Sequence, residues 1–366
     1  MSMRAAWLGT GPKVAAFEKL IAEYKNVKYS VAVNSCTAGL HLSCLALGLG
    51  PGDEVIVPAM TFCATINAVI HAGATPILVD VDADTFNINA EDVREKISPR
   101  TKAILLVHFA GRPCRMDSLK ALAHEYGLRI IEDCAHAIEA EYHDQKTGAI
   151  GDCGVLSFYS TKTVVTGEGG MILTNDADIA ARAKILALHG MSQDAWKRFS
   201  DDGYKHYEVV EVGFKYNMMD LQAAIGIHQI GRVEQSWRRR SEIWEQYNRA
   251  FADLPARRPA PICSKSRHAL HLYTLLIDEK APVTRDQFIT GLHRRGIGTG
   301  VHYRAIPMHP AYKQRFGWEP ADYPNANAIG EATVSLPLSA GLFDEDVEDV
   351  IRAVREVLAG GPEGLA

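Results

Sequence analysis

Between residues 28 and 175 the chain alternates short β-branched runs with helical patterns, a rhythm that few folds accommodate. The runs lie at 29–33, 54–57, 76–80, 103–107 and 128–131, and helical stretches fall at 37–47, 62–71 and 118–126. Such alternation predicts an α/β domain with a mainly parallel sheet and helices on both faces. Ligands on a sheet of this kind gather at the carboxyl ends of its strands. A long helical region over 220–252 follows, then the proline-rich segment 254–261, which reads as a linker. Beyond it a strand at 271–277, a helix at 285–295 and a closing helix at 345–358 predict a smaller α+β domain. The expected division is therefore a large domain over 1–252 and a small one over 253–366.

Composition narrows the function classes. With 366 residues, 47% of them hydrophobic, the chain can bury a large core. Its net charge of -5 comes from interspersed acids and bases, which argues against nucleic acid as a partner. Trp237-Arg-Arg-Arg240 is the one notable basic run and reads as a solvated helix face or a subunit contact. The longest apolar runs have strand length, far from the roughly 20 residues of a membrane span. The N-terminus lacks the apolar stretch of a signal peptide. Seven cysteines, an odd number with no CxxC pair, read as small hydrophobes in a reducing compartment, so a cytoplasmic protein without a zinc site is expected. Two further patterns are set aside. Asp80-Val-Asp82-Ala-Asp84 with Glu91 imitates a calcium loop, but Thr85 stands where the turn glycine belongs. Gly9-Thr-Gly11 begins a dinucleotide pattern with no strand before it.

The chemistry centres on Lys162, in Ser157-Phe-Tyr-Ser-Thr-Lys162, ahead of the glycine-rich Gly167-Glu-Gly-Gly170 and the strand-like Met171-Ile-Leu-Thr174. A lysine held at a strand end can act as an amine nucleophile and form a Schiff base with an aldehyde cofactor. Asp133 ends an apolar strand, so its carboxylate projects at the ligand edge of the sheet. There it would either hold a pyridine nitrogen protonated, as a pyridoxal phosphate (PLP) enzyme requires, or cap a helix beginning at Cys134. His136, three residues on, would buttress the ring or serve a structural role. Ser35-Cys-Thr37-Ala38-Gly39 passes from strand to helix and offers free N–H groups to a phosphate, unless Ser35 or Thr37 simply caps the helix. Phe62 opens the next helix, placed to lie on a planar ring or to pack in the core, and Ser157 could add a hydroxyl to the phosphate.

These motifs, with Val107-His108…Gly111-Arg-Pro113 and Gly213-Phe-Lys-Tyr-Asn217, resemble the DegT/DnrJ/StrS nucleotide-sugar aminotransferases of PLP fold type I. The likeness runs from Gly9-Thr-Gly-Pro-Lys-Val14 through Gly298-Thr-Gly-Val-His302-Tyr303 to Ser335-Leu-Pro-Leu338. It implies a large domain with a seven-stranded, mainly parallel sheet and a smaller α+β domain. It implies PLP on Lys162, Asp133 on the pyridine nitrogen, Thr37, Ala38 and Ser157 on the phosphate, and Phe62 and His136 against the ring. Asn217 would reach the phosphate of a neighbouring subunit, making a homodimer with shared sites. Gly9, Thr10, His302 and Tyr303 would lie near the sugar nucleotide.

The resemblance also implies the reaction. Glutamate would give its amino group to the cofactor, leaving pyridoxamine phosphate, and a nucleotide-linked keto sugar, such as a 4-keto-6-deoxy hexose, would then take it in a ping-pong cycle. A related branch that dehydrates sugars carries histidine at the lysine position, so Lys162 favours amino transfer. The chain reaches Trp7-Leu-Gly-Thr-Gly-Pro earlier than the family pattern does, so a shorter N-terminal arm around the site is expected. Two other readings stay open: a PLP enzyme acting on a cyclitol or other small ketone or amine, and a PLP-binding regulatory protein without turnover.

Overall fold

A computed structural model describes residues 8–192 and 207–360. Its main sheet has seven strands: β1 (Tyr29–Val33), β2 (Glu54–Pro58), β3 (Thr75–Val79), β4 (Thr101–Val107), β5 (Arg129–Asp133), β8 (Cys153–Ser157) and β9 (Gly170–Thr174). They lie in the order β1-β9-β8-β5-β4-β2-β3. A small three-stranded sheet forms from β6 (Glu141–Tyr142), β7 (Gln145–Lys146) and β11 (Ser266–Arg267). The strands from β3 across to β8 pair in parallel, whereas β9 runs antiparallel to both β8 and β1. The expected mainly parallel sheet is present, with one reversed strand inserted near an edge. That reversal brings the start of β9, at Gly170, to the edge where the parallel strands end.

Both faces of the sheet are covered, as parallel strands require. Val55, Val57, Leu105 and Val155 pack toward α2 (Cys36–Ala46), α3 (Cys63–His71) and α6 (Ala177–Ala187). Ile56, Ile104, Leu106 and Ile130 point the other way, against Met116, Leu119 and Leu122 of α5 (Met116–Tyr126). The alternation of neighbours 55, 56 and 57 between these layers is the two-residue period of a strand. On that second side α4 (Ala90–Lys96) contributes Val93, and α1 (Pro12–Lys25) covers the β1–β9 end with Phe17 and Ile21.

The region expected as one helix over 220–252 is two: α7 (Asp220–Ile230) and α8 (Val233–Ala250), parted at Gly231-Arg232. A second core gathers Ile243, Trp244 and Tyr247 of α8 with the antiparallel sheet β10 (Ala256–Arg257), β12 (Tyr273–Ile277) and β13 (Thr333–Leu336). Helices α9 (Arg285–Arg294) and α12 (Asp344–Ala359) complete it. Helices α10 (Pro310–Phe316) and α11 (Pro324–Ala332) send Tyr312, Ala326 and Ile329 back into the core of the main sheet, and so tie the two units together. The false calcium loop takes part in this contact. Asp80 accepts from the backbone N–H groups of Asn325 and Ala326 at the start of α11 (2.9 and 2.8 Å), and Asp82 accepts from those of Asp84 and Thr85.

The Trp237–Arg240 run does not form a uniformly solvated face. Arg240 is buried and ion-paired with Glu139, and its guanidinium also donates to the carbonyls of Ala269 and Leu270. Arg239 bonds to Leu342 and Asp344, and Trp237 donates to the His268 carbonyl. Arg240 thus joins the turn after β5 to the segment before β12. Glu139→Ala would strand this cation in the interior and is expected to cost about 3–5 kcal/mol in urea unfolding, whereas a double change of Glu139 and Arg240 to methionine should cost far less.

Candidate active site

The parallel strands β1, β2, β4, β5 and β8 all end on one edge, and a cavity of about 500 Å³ opens there. Thr37, Phe62, Asp133, His136, Ser157, Lys162, His302 and Tyr303 line it. These are eight of the twelve positions expected from the sequence. Cys36, Thr61 and Glu168 also face it.

Asp133 forms the floor. It is 5% exposed, with one carboxylate oxygen accepting from Thr65 Oγ1 (2.9 Å) and the other from the Ala135 N–H (3.0 Å). The helix-cap alternative is overturned, because the 134–140 segment is a run of turns, with Ala137 N–H bonding Cys134 O and Ala140 N–H bonding Ala137 O. Burial pushes the Asp133 carboxyl up, while the Ala135 amide, Thr65 and the charge of Lys162 oppose that push. A buried carboxylate of this kind is well matched to a ligand nitrogen that carries a proton.

Its neighbour Glu132 is structural. Its carboxylate accepts from the N–H groups of Gly148, Ile150 and Gly151 at 2.6–2.8 Å and from His108 Nε2 at 2.9 Å. Because His108 Nδ1 accepts from the Cys114 N–H (3.0 Å), the imidazole proton sits on Nε2. His108, Glu132 and Cys134 cluster closely enough to suggest a metal site, but the histidine and carboxylate atoms are already committed to this network.

Lys162 projects from the loop after β8, where its N–H bonds Tyr159 O (2.9 Å). The Phe158 N–H to Gly169 O and Thr166 N–H to Phe158 O bonds close that loop. Among the described residues the Lys162 ammonium has no hydrogen-bond partner. Burial lowers its pKa, against the raising effect of Cys36 and Asp133, so the free amine is more accessible than in a solvated lysine.

One wall of the cavity forms where β1, β8 and β9 meet the start of α2. Ser35 caps the helix, and its hydroxyl accepts from the Ala38 N–H (3.1 Å). Ser35 is thus the cap, and Thr37 faces the cavity. Ala38 is not among the residues lining the cavity, and its amide donates to Ser35 Oγ. The Cys36 and Thr37 amides have no acceptor among the described residues and remain free for an anion. Gly170 lets the strand end approach this helix: a Cβ there would lie 2.6 Å from the Ser35 backbone. Gly167, at φ +84°, makes the turn leading into it.

Phe62 precedes the first turn of α3 and is 55% exposed, which excludes core packing. Its ring lies 5.7 Å from that of Tyr303. Tyr303 OH lies 3.1 Å from His136 Nε2, while His136 Nδ1 is buried without a partner. The His136 ring also stacks on His271, with centroids 4.4 Å apart. Burial drives the His136 pKa well down, reinforced by Lys162 and the neighbouring imidazoles. His302, held at Nδ1 by Ser335 Oγ (2.8 Å), is lowered by burial and by Lys162 to about 4. Both are thus neutral imidazoles at pH 7. Gly9, Thr10 and Asn217 lie together and are not among the residues lining this cavity. Asn217 donates to Thr10 Oγ1 (2.7 Å), Thr10 donates to Met218 O (2.7 Å), and Gly9 O accepts from the Asp220 N–H.

Sequence reading missed Thr65 and His271. The Thr61–Thr65 spacing of four residues was the visible signal for the first. Nothing local announces that residue 271 folds onto residue 136.

The sequence profile of the DegT/DnrJ/EryC1/StrS aminotransferase family matches residues 1–355. The spore coat polysaccharide biosynthesis protein SpsC of Bacillus subtilis is 46% identical over 361 residues, which span 98% of this chain and 93% of SpsC. The aminotransferase TlmJ of Streptoalloteichus hindustanus superposes with a TM-score of 0.90 at 36% identity, covering 98% of this chain and 94% of TlmJ. Spr1654 of Streptococcus pneumoniae, assigned as a sugar aminotransferase, has been solved in PLP and pyridoxamine phosphate (PMP) forms. These superpose at TM-scores of 0.91 and 0.92 with 32% identity, covering 98% of this chain and 94–95% of Spr1654. The cavity fits such a cofactor: a buried carboxylate, a free amine, unused helix amides and an exposed aromatic ring face one space. The chain therefore belongs to the DegT/DnrJ/EryC1/StrS aminotransferase family, as a PLP-dependent aminotransferase that cycles through PMP.

Proposed function

We propose that the enzyme moves an amino group from glutamate to a nucleotide-linked keto sugar, most suitably a 4-keto-6-deoxy hexose. The observation that carries this reading is the pairing of an unbonded Lys162 amine with the buried Asp133 carboxylate across one cavity. The sugar assignment is supported by SpsC, which is named for polysaccharide biosynthesis, and by Spr1654, assigned as a sugar aminotransferase.

When bound, PLP supplies a carbonyl that accepts the amino group and a ring that absorbs the electrons of a carbanion. Thr37, Ser157 and the Cys36 and Thr37 amides hold its phosphate. Asp133 would accept a hydrogen bond from the protonated pyridine nitrogen and so keep it charged. Phe62 covers the ring from the rim, and His136, steadied by Tyr303, lies beside it. Lys162, whose amine faces the same space, would be the group that holds and moves a proton between the donor's α-carbon and the cofactor. Water would release the donor as its 2-oxo acid before the keto sugar enters, and Lys162 would then move a proton in the opposite sense.

In this reading two subunits share their sites. Asn217, with Gly9 and Thr10, lies outside the cavity of its own chain and completes that of a partner. Val209, Val210 and Val212, all more than half exposed, offer part of the apolar surface that such a dimer would cover. To test the substrate, enzyme converted to the PMP form by glutamate would be offered UDP-, GDP- and dTDP-linked 4-keto-6-deoxy sugars. One of them is expected to restore the visible absorbance of the PLP form. Silence toward all three, with restoration by a small cyclic ketone, would overturn the nucleotide-sugar assignment.

A further inference from the structure

The side chains behind Asp133 form a directed chain. Thr65 Oγ1 donates to Asp133 Oδ2 at 2.9 Å, and Thr61 Oγ1 lies 2.8 Å from Thr65 Oγ1. An ionised carboxylate only accepts, so the single hydroxyl proton of Thr65 is committed to Asp133. Thr61 must therefore be the donor of the threonine pair, and the order runs Thr61 to Thr65 to Asp133. Both threonines are buried, at 2% and 0% exposure. Valine would fill the Thr65 site with the same shape and no polar group to desolvate, so packing does not account for a hydroxyl there.

We propose that Thr65, backed by Thr61, is a positioning residue for amino transfer: it holds Asp133 ionised and turned toward the pyridine nitrogen of PLP. The proposal rests on the assignment of Asp133 to that nitrogen. Burial alone drives the Asp133 carboxyl toward its neutral form, and a neutral acid would not hold the ring nitrogen charged. The Ala135 amide opposes this from the backbone, and Thr65 is the side chain that does so within ordinary hydrogen-bond distance. Cys36 Sγ, at 4.0 Å, adds at most a weak contact. The titratable groups facing Asp133 are Cys36 from α2, His108 from the end of β4, the adjacent Cys134, Lys162 from the loop after β8 and Tyr303 from the second unit. All of them are unchanged by a Thr65 substitution.

The test is PLP affinity as a function of pH, measured by absorbance on enzyme stripped of cofactor and titrated back. Thr65→Val is expected to weaken PLP binding about 10- to 100-fold near neutral pH, the worth of a hydrogen bond to a charged group. The acid limb of the affinity profile should move to higher pH, because the carboxylate has lost a donor that favours its charged form. Thr65→Ser should restore both, and Thr61→Val should shift the limb in the same direction by less. Wild-type affinity and an unmoved acid limb in Thr65→Val would overturn the proposal. So would equal losses in Thr65→Val and Thr65→Ser with no shift, which mark a packing role. If Thr65→Val does not fold, Thr61→Val decides by the presence or absence of the shift. Asp133→Asn separates the two levels. If it keeps wild-type PLP affinity, the pyridine assignment falls and takes the proposal with it. If it loses affinity while Thr65→Val does not, the Thr65 role alone falls.

Discussion

Lys162→Ala is expected to lower amino transfer by about 10,000-fold or more, because in the proposed mechanism one side chain would supply both the covalent attachment and the proton shuttle. The loss should appear in kcat rather than in substrate binding, since Lys162 is one of many groups lining the cavity while no other amine does. Borohydride reduction of wild-type enzyme should fix PLP to the Lys162 peptide, as read by mass spectrometry, and the variant should carry no such adduct. The fold should survive: the Lys162 side chain makes no hydrogen bond among the described residues, and its burial as a cation is a cost rather than a gain. Turnover near wild type in a correctly folded Lys162→Ala protein would end the assignment.

The place of Lys162 at the sheet's ligand edge was legible because its local sequence fixes it. A strand, a loop and a glycine-rich turn follow one another, and each does in the structure what its composition predicts. Gly170 shows why the turn must be small: its missing side chain is the space in which β9 meets the first residues of α2. The same holds for the alternation that predicted the sheet, where both-sided burial gives near-continuous apolar strands such as Ile56 between Val55 and Val57. The reversal of β9 was not legible, because an apolar strand carries no mark of its direction.

What stayed hidden depends on contacts between distant segments. Arg240 looks like one more cation of a basic helix until Glu139, 101 residues away, and the carbonyls of Ala269 and Leu270 are placed around it. Tyr303 reads as loop polarity, yet its hydroxyl reaches His136 across 167 residues. At the strand-to-helix pattern the sequence left the use of the N–H groups open, because a cap and a phosphate compete for them, and Ser35 takes that of Ala38. The motif located the helix start, and the division of its N–H donors depended on side-chain geometry.

Asp133→Asn should separate stability from activity with opposite signs. In the protein without cofactor, burial raises the folded-state pKa of Asp133 above its unfolded value. Between those two values the folded state binds more protons than the unfolded one, so stability falls as pH rises through the window and stays lowered above it. Asparagine carries no charge, so the stripped variant should melt at a higher temperature than stripped wild type at neutral pH, and the difference should vanish in acid. The active form should respond the other way. Losing one member of a buried charge pair costs about 3–5 kcal/mol, which corresponds to roughly 100- to 4,000-fold in kcat/KM. PLP should then stabilise the variant less than it stabilises wild type, since ligand-linked stability follows affinity. Paired melting curves with and without PLP read both effects on one sample. A variant that melts lower than wild type without PLP, yet gains the same increment from it, would place Asp133 in the structural frame and remove it from the chemistry. The buried carboxylate is expected instead to weaken the empty fold for the sake of the filled one, as strained or destabilised groups do at working sites.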